Sequence, residues 1–139
     1  MYLTYDEYID MGGETLEETA FDALEFEART TIDWWTFNRL QNEEEYPEPV
    51  KRCMFALIKL IKDKQDSMVT DAQAEDGTKK AGLTHESNDG VSASYNVISA
   101  RSAVEMLKQD IRATIRMYLQ GVRNSLGQKV LYRGIYPNE

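Results

Sequence analysis

Apolar side chains recur at three- and four-residue spacing along most of the chain, the mark of amphipathic helices. Thr4 to Met11 reads as a short first helix. Thr4 followed by Glu7 fits a capping box, and Gly12-Gly13 ends it. Leu16 to Leu40 reads as a long second helix. Its stripe is Phe21, Leu24, Ala28, Ile32 and Trp35. Phe26, Trp34 and Phe37 lie off that stripe. They mark either a very wide buried face or an exposed aromatic patch that a partner covers, since aromatics are enriched at interface cores.

Two prolines, Pro47 and Pro49, break the pattern. A third helix is predicted from Pro49 to Met68, with Val50, Cys53, Met54, Leu57, Ile58 and Ile61 inside and Lys59, Lys62 and Lys64 in water. Periodicity is lost over 69–90. Leu83–Ser87 and Val91–Tyr95 flank Asn88-Asp89-Gly90, which predicts a β-hairpin. A last helix is expected over Ala100–Gly121, with Ser102 and Glu105 as a second capping box. Its stripe is Val104, Leu107, Ile111, Ile115, Tyr118 and Val122. The predicted fold is mainly α: a small bundle of four to five helices with one β-hairpin before the long C-terminal helix. Residues 1–126 form a single domain in this reading, and 127–139 an apolar, aromatic C-terminal arm.

Charge changes the picture. The 139 residues carry 16 Lys+Arg and 24 Asp+Glu, a net −8. That excludes a surface that grips nucleic acid phosphates throughout. The acid is unevenly placed. Residues 1–49 hold 14 acidic side chains against Arg29 and Arg39, whereas 50–139 are net +4. Seven basic groups fall in 101–133, among them Arg112, Arg116 and Arg133. Either both halves are solvated faces, or one subunit's acidic face meets a neighbour's basic one. Head-to-tail contacts of that kind close into rings or run on as filaments.

Candidate chemistry is sparse. His85 stands in a predicted strand with no fixed partner, and Cys53 lies on an apolar stripe, where a thiol is an inert hydrophobe. One Cys and one His cannot make a zinc site. Asp63 and Asp66 lack the ligand-rich loop that a calcium site needs, and Glu43-Glu44-Glu45 is a solubilising run. Gly12-Gly13 and Gly77 match no phosphate loop. No catalytic residue, metal ligand or cofactor site is assigned. The first residues have no basic, apolar leader pattern and no run reaches membrane-spanning length, so a soluble protein of a reducing compartment is expected.

Three stretches together resemble one family. They are Tyr2-Leu3-Thr4-Tyr5-Asp6-Glu7-Tyr8, Ala28-Arg29-Thr30-Thr31-Ile32-Asp33 running into Trp34-Trp35-Thr36-Phe37-Asn38-Arg39-Leu40, and Glu86 to Tyr95 followed by a long helix and Leu131-Tyr132-Arg133-Gly134. In order and spacing they resemble the small head–tail connector proteins of long-tailed bacteriophages and prophages, also called head completion or adaptor proteins. The resemblance implies a non-enzymatic virion protein, made in the host cytoplasm, that forms a ring beneath the portal. That ring would be dodecameric on the portal, would extend the DNA channel without binding DNA specifically, and would dock a stopper or tail-completion protein. It implies no membrane partner.

The residues assigned to oligomer or partner contacts are Phe26, Trp34, Phe37, Arg112, Arg116, Tyr132, Arg133 and Tyr136. The aromatic tail is expected to be a docking arm that orders on a partner. Two other readings compete. An acidic helical regulatory module would bind a basic partner of a nucleic-acid enzyme. A carboxylate-based metal hydrolase would need acids converging inside the bundle, and the apolar stripes read as free of acid.

Overall fold

In a computed structural model, the backbone of residues 1–83, 89–137 and 139 is described, with side chains outside 69–101. Four helices follow one another among the described residues: α1 (Tyr5–Asp10), α2 (Glu18–Thr36), α3 (Glu48–Leu83) and α4 (Asp89–Leu119). The contacts divide the chain into two compact units. One comprises Met1–Ile61 with Ile111–Glu139, the other Lys62–Asp110. The boundaries therefore fall inside α3 and α4 rather than at the expected division after residue 126.

α1 forms as its capping pattern predicts. The Thr4 hydroxyl accepts from the Glu7 N–H, and the Glu7 carboxylate accepts from the Thr4 N–H. Two orphan donors of the first turn are thereby satisfied. Gly12 ends the helix at φ +92°, a conformation open to glycine without strain.

α2 buries Phe21, Leu24, Ala28 and Ile32 on its expected stripe, with Trp35 half-buried. One correction concerns that face. Glu25 is also buried, so the stripe is not free of acid. Its Oε1 accepts the Tyr2 N–H at 2.8 Å, and its Oε2 lies 3.5 Å from Arg29 Nε. A buried carboxylate persists when such partners replace water.

α2 stops four residues earlier than its pattern predicts. Phe37 and Asn38 are both left-handed, at φ 55° and 60°. Two consecutive non-glycine residues there end the helix, and each costs about 1–2 kcal/mol in backbone strain. The Phe37 N–H donates back to the Asp33 carbonyl.

α3 opens at Glu48, with Pro49 in its first turn, where a missing N–H breaks no bond. Its predicted stripe is buried throughout, from Val50 to Ile61. Each fully buried Leu or Ile contributes about 1.5–3 kcal/mol from water exclusion. Burial pushes the Cys53 thiol up to about 12, as expected of an inert core cysteine.

α3 runs on to Leu83, well past Met68. The added segment has no proline, and its three Ala and two Lys favour helix without an apolar stripe, although Gly77 and Gly82 do not. α4 begins at Asp89, eleven residues before the expected start. Ser102 therefore lies inside α4 and is not a cap. Val91–Tyr95, the second strand of the predicted hairpin, falls within α4, and the described residues hold no β-strand. Ser92, Ala93 and Ser94 have weak strand preference and continue directly into the helical run. Residues 84–88, with His85, lie outside the described residues. The mainly helical class stands; the hairpin finds no support.

The last segment of the first unit was expected to be a docking arm that orders on a partner. It is packed instead. Val130 is fully buried beside Ile115, Leu119 and Val122 of the same core. An isolated antiparallel bridge joins Arg123 to Lys129, and the Asn124 side chain accepts from the Leu126 and Gln128 N–H groups.

In the second unit, i,i+4 and i,i+3 pairs line the helices: Lys62 with Asp66 at 2.7 Å, and Lys108 with Glu105 at 3.5 Å. Val104, expected on the core stripe of α4, is exposed, as are Met68 and Met106. No helix among the described residues is long and apolar enough to cross a membrane.

Candidate functional site

The first unit carries an open groove of about 990 Å³. Its floor is the outer face of the C-terminal half of α2, with Phe26, Arg29, Asp33 and Trp34. Arg116 of α4 and Arg133 of the tail form a basic wall. Trp34 is 73% exposed, Phe26 61% and Phe37 51%. Such exposure separates the two sequence readings of these aromatics: they form a surface patch, not a wider core.

The rings are ordered by their neighbours. The Arg29 guanidinium lies 5.5 Å from the centre of Phe26, a cation–π contact. Trp34 and Trp35 meet edge to face, centroids 5.2 Å apart. The left-handed turn at Phe37 and Asn38 places both residues in the groove's lining. Backbone strain of this kind persists where the surroundings over-determine it.

Asp33 is tied on two sides. Its Oδ1 accepts from the Tyr2 hydroxyl, and its Oδ2 accepts from Gln41 at 3.3 Å. Burial, then the bond to Asp33, pushes the Tyr2 phenol well above its ordinary range. Arg116 and Arg133 are exposed and form no ion pair among the described residues. The groove thus combines exposed aromatic rings with unspent positive charge, the residue types that binding hot spots favour.

Five of the eight expected interface residues converge here: Phe26, Trp34, Phe37, Arg116 and Arg133. Arg112 does not; it is exposed on α4 outside the lining. Tyr132 and Tyr136 belong to a different arrangement, around Arg39. The Arg39 side chain is 3% exposed and donates to the carbonyls of Lys129, Val130, Tyr132 and Gly134. Its Nε and Nη2 also meet Glu139 at 2.6 and 3.1 Å. Tyr136 lies 4.9 Å and Phe37 5.1 Å from the guanidinium carbon.

The hydrogen bonds to Glu139 hold the guanidinium's pKa above its ordinary value, and the same contact holds the Glu139 carboxyl below its own. Arg39 is a latch that fastens the tail, and through Leu131 and Arg133 it builds one wall of the groove. Sequence reasoning missed it. The available signal was a base standing alone at the end of an acidic helix, but no local pattern names carbonyls 90 residues away.

Among the described residues, no group of three or more His, Cys, Asp or Glu is placed to hold a metal ion. Asp66 is engaged by Lys62. The chain matches no protein-family model, no curated protein and no solved structure.

Proposed function

We propose that this protein is a structural assembly subunit, of the kind that phage head–tail connectors represent, and not a catalyst. One observation carries the proposal. Interface residues expected from separate parts of the sequence share a single exposed groove of aromatic and arginine side chains. In this reading copies assemble as a ring on a portal, the DNA channel passes through the ring, and a stopper or tail-completion protein docks against it.

The uneven charge supports the same view. A strongly acidic first half repels DNA at close range. The docking surface is the groove; the tail, fastened by Arg39, shapes it and is not a free arm. Light scattering on the protein alone, and mixed with the portal protein of the same phage or prophage, tests the proposal. A portal complex of fixed stoichiometry is expected. A strict monomer that ignores the portal overturns it.

A further inference from the structure

The outer face of α2 is bipolar within one helix. Glu18 and Asp22 are exposed at its N-terminal end and form no ion pair among the described residues. Phe26, Arg29, Thr30 and Asp33 follow at three- and four-residue steps on the same side. At the other end stand Trp34, Phe37 and the basic wall of Arg116 and Arg133. Size is graded the same way. Thr19 and Ala23 are small and exposed on the acidic half, and the large rings crowd the basic half.

We infer that a second copy of this chain covers the groove by antiparallel, two-fold packing of α2 against α2. Turning one copy end over end sets Glu18 and Asp22 of each against Arg116 and Arg133 of the other. It also lays each Trp34 over the partner's Thr19 and Ala23. Both charge ends of both copies are matched at once, as an isologous contact requires. A head-to-tail contact through this face matches only one acidic and one basic end at a time and needs further copies for the others, whereas the two-fold pair matches all four within a dimer. The inference does not depend on the connector reading: it describes the protein away from any portal.

Its strength follows from its size. A helix of 19 residues is about 28 Å long and about 10 Å wide, so the helices alone cover near 300 Å² on each copy. Even with the arginine wall added, the contact belongs to the weak class. Pairing is therefore expected at hundreds of micromolar, with a dissociation constant that rises about tenfold between roughly 50 and 500 mM salt.

Sedimentation velocity over a concentration series tests it. The wild-type mass is expected to approach twice the monomer at low salt. Arg116→Glu with Arg133→Glu, or Glu18→Lys with Asp22→Lys, is expected to abolish pairing, and the four changes in one chain to restore it. That rescue separates a lost contact from a lost fold. Orientation is read by oxidation: Phe26→Cys, nearest the two-fold axis that this register sets, cross-links, whereas Thr19→Cys does not.

A wild-type monomer at these concentrations, pairing indifferent to the charge reversals, or a Thr19→Cys cross-link overturns the inference. So do larger assemblies that the groove reversals remove, since those are head-to-tail. Failure to bind a portal, with pairing intact, sinks the connector reading alone.

Discussion

Replacing Arg39 by alanine removes the latch of the C-terminal tail. The guanidinium has 3% of its side chain exposed and donates to four carbonyls of residues 129–134. The bond to Val130 is buried. Losing a charged donor there leaves a buried acceptor unpaired, which costs about 1.5–3 kcal/mol. The bonds to Lys129, Tyr132 and Gly134 are partly exposed, so water replaces much of each, and about 0.5–1 kcal/mol apiece is lost. The total, about 3–6 kcal/mol, overlaps the roughly 3–5 kcal/mol that breaking a buried ionic pair usually costs.

The loss should be local first. Tail opening eased by about 3 kcal/mol raises hydrogen exchange of the Val130 amide, which donates to the Val122 carbonyl, about a hundredfold. Amides of α3 near Leu57 should respond much less. Arg39→Lys should fall nearly as far, because an ammonium cannot present a planar fork to several carbonyls. Urea unfolding and native-state exchange measure both effects. A variant within about 0.5 kcal/mol of wild type, with Val130 exchange unchanged, refutes the latch.

Two further outcomes follow from the same geometry. The Glu7 carboxyl is held below its ordinary value first by its hydrogen bond to Lys51, so the pair stabilises above the unfolded value of 4.5 and fades as pH falls through the folded one. Lys51→Met should therefore be less stable than wild type near pH 7 and match it near pH 2; equal stability at neutral pH contradicts this. Phe37→Gly should relieve about 1–2 kcal/mol of left-handed strain and leave the unfolding midpoint equal or higher, while weakening self-association. A large loss of stability would mean that the Phe37 ring anchors the fold, not the groove.

Much of the fold was legible along the chain because its causes are local. The Thr4–Glu7 cap, the stripe from Phe21 to Ile32 and the stripe from Val50 to Ile61 each lie within one helix, where spacing alone chooses the buried face. Exposure of Phe26 and Trp34 was legible in part, as residues off a stripe. The far end of α3 and the start of α4 were not, since they lack a stripe and rest on helix preference. The Asp-Gly pair that suggested a hairpin is equally at home at a helix start.

The charge asymmetry shows where sequence ends and tertiary structure takes over. Composition alone determined that the first 49 residues are strongly acidic and the remainder basic, which suggested two opposed faces. Folding instead carries Arg116 and Arg133 to the C-terminal end of an otherwise acidic helix, so both signs share one face. Arg116 is set by α4, whose Ile115 and Leu119 are buried in the core, whereas the segment that carries Arg133 is tied down by Arg39, which gathers carbonyls some 90 residues on. A buried guanidinium finds its partners only when a distant segment closes over it, and that closure is a tertiary event that no local spacing encodes.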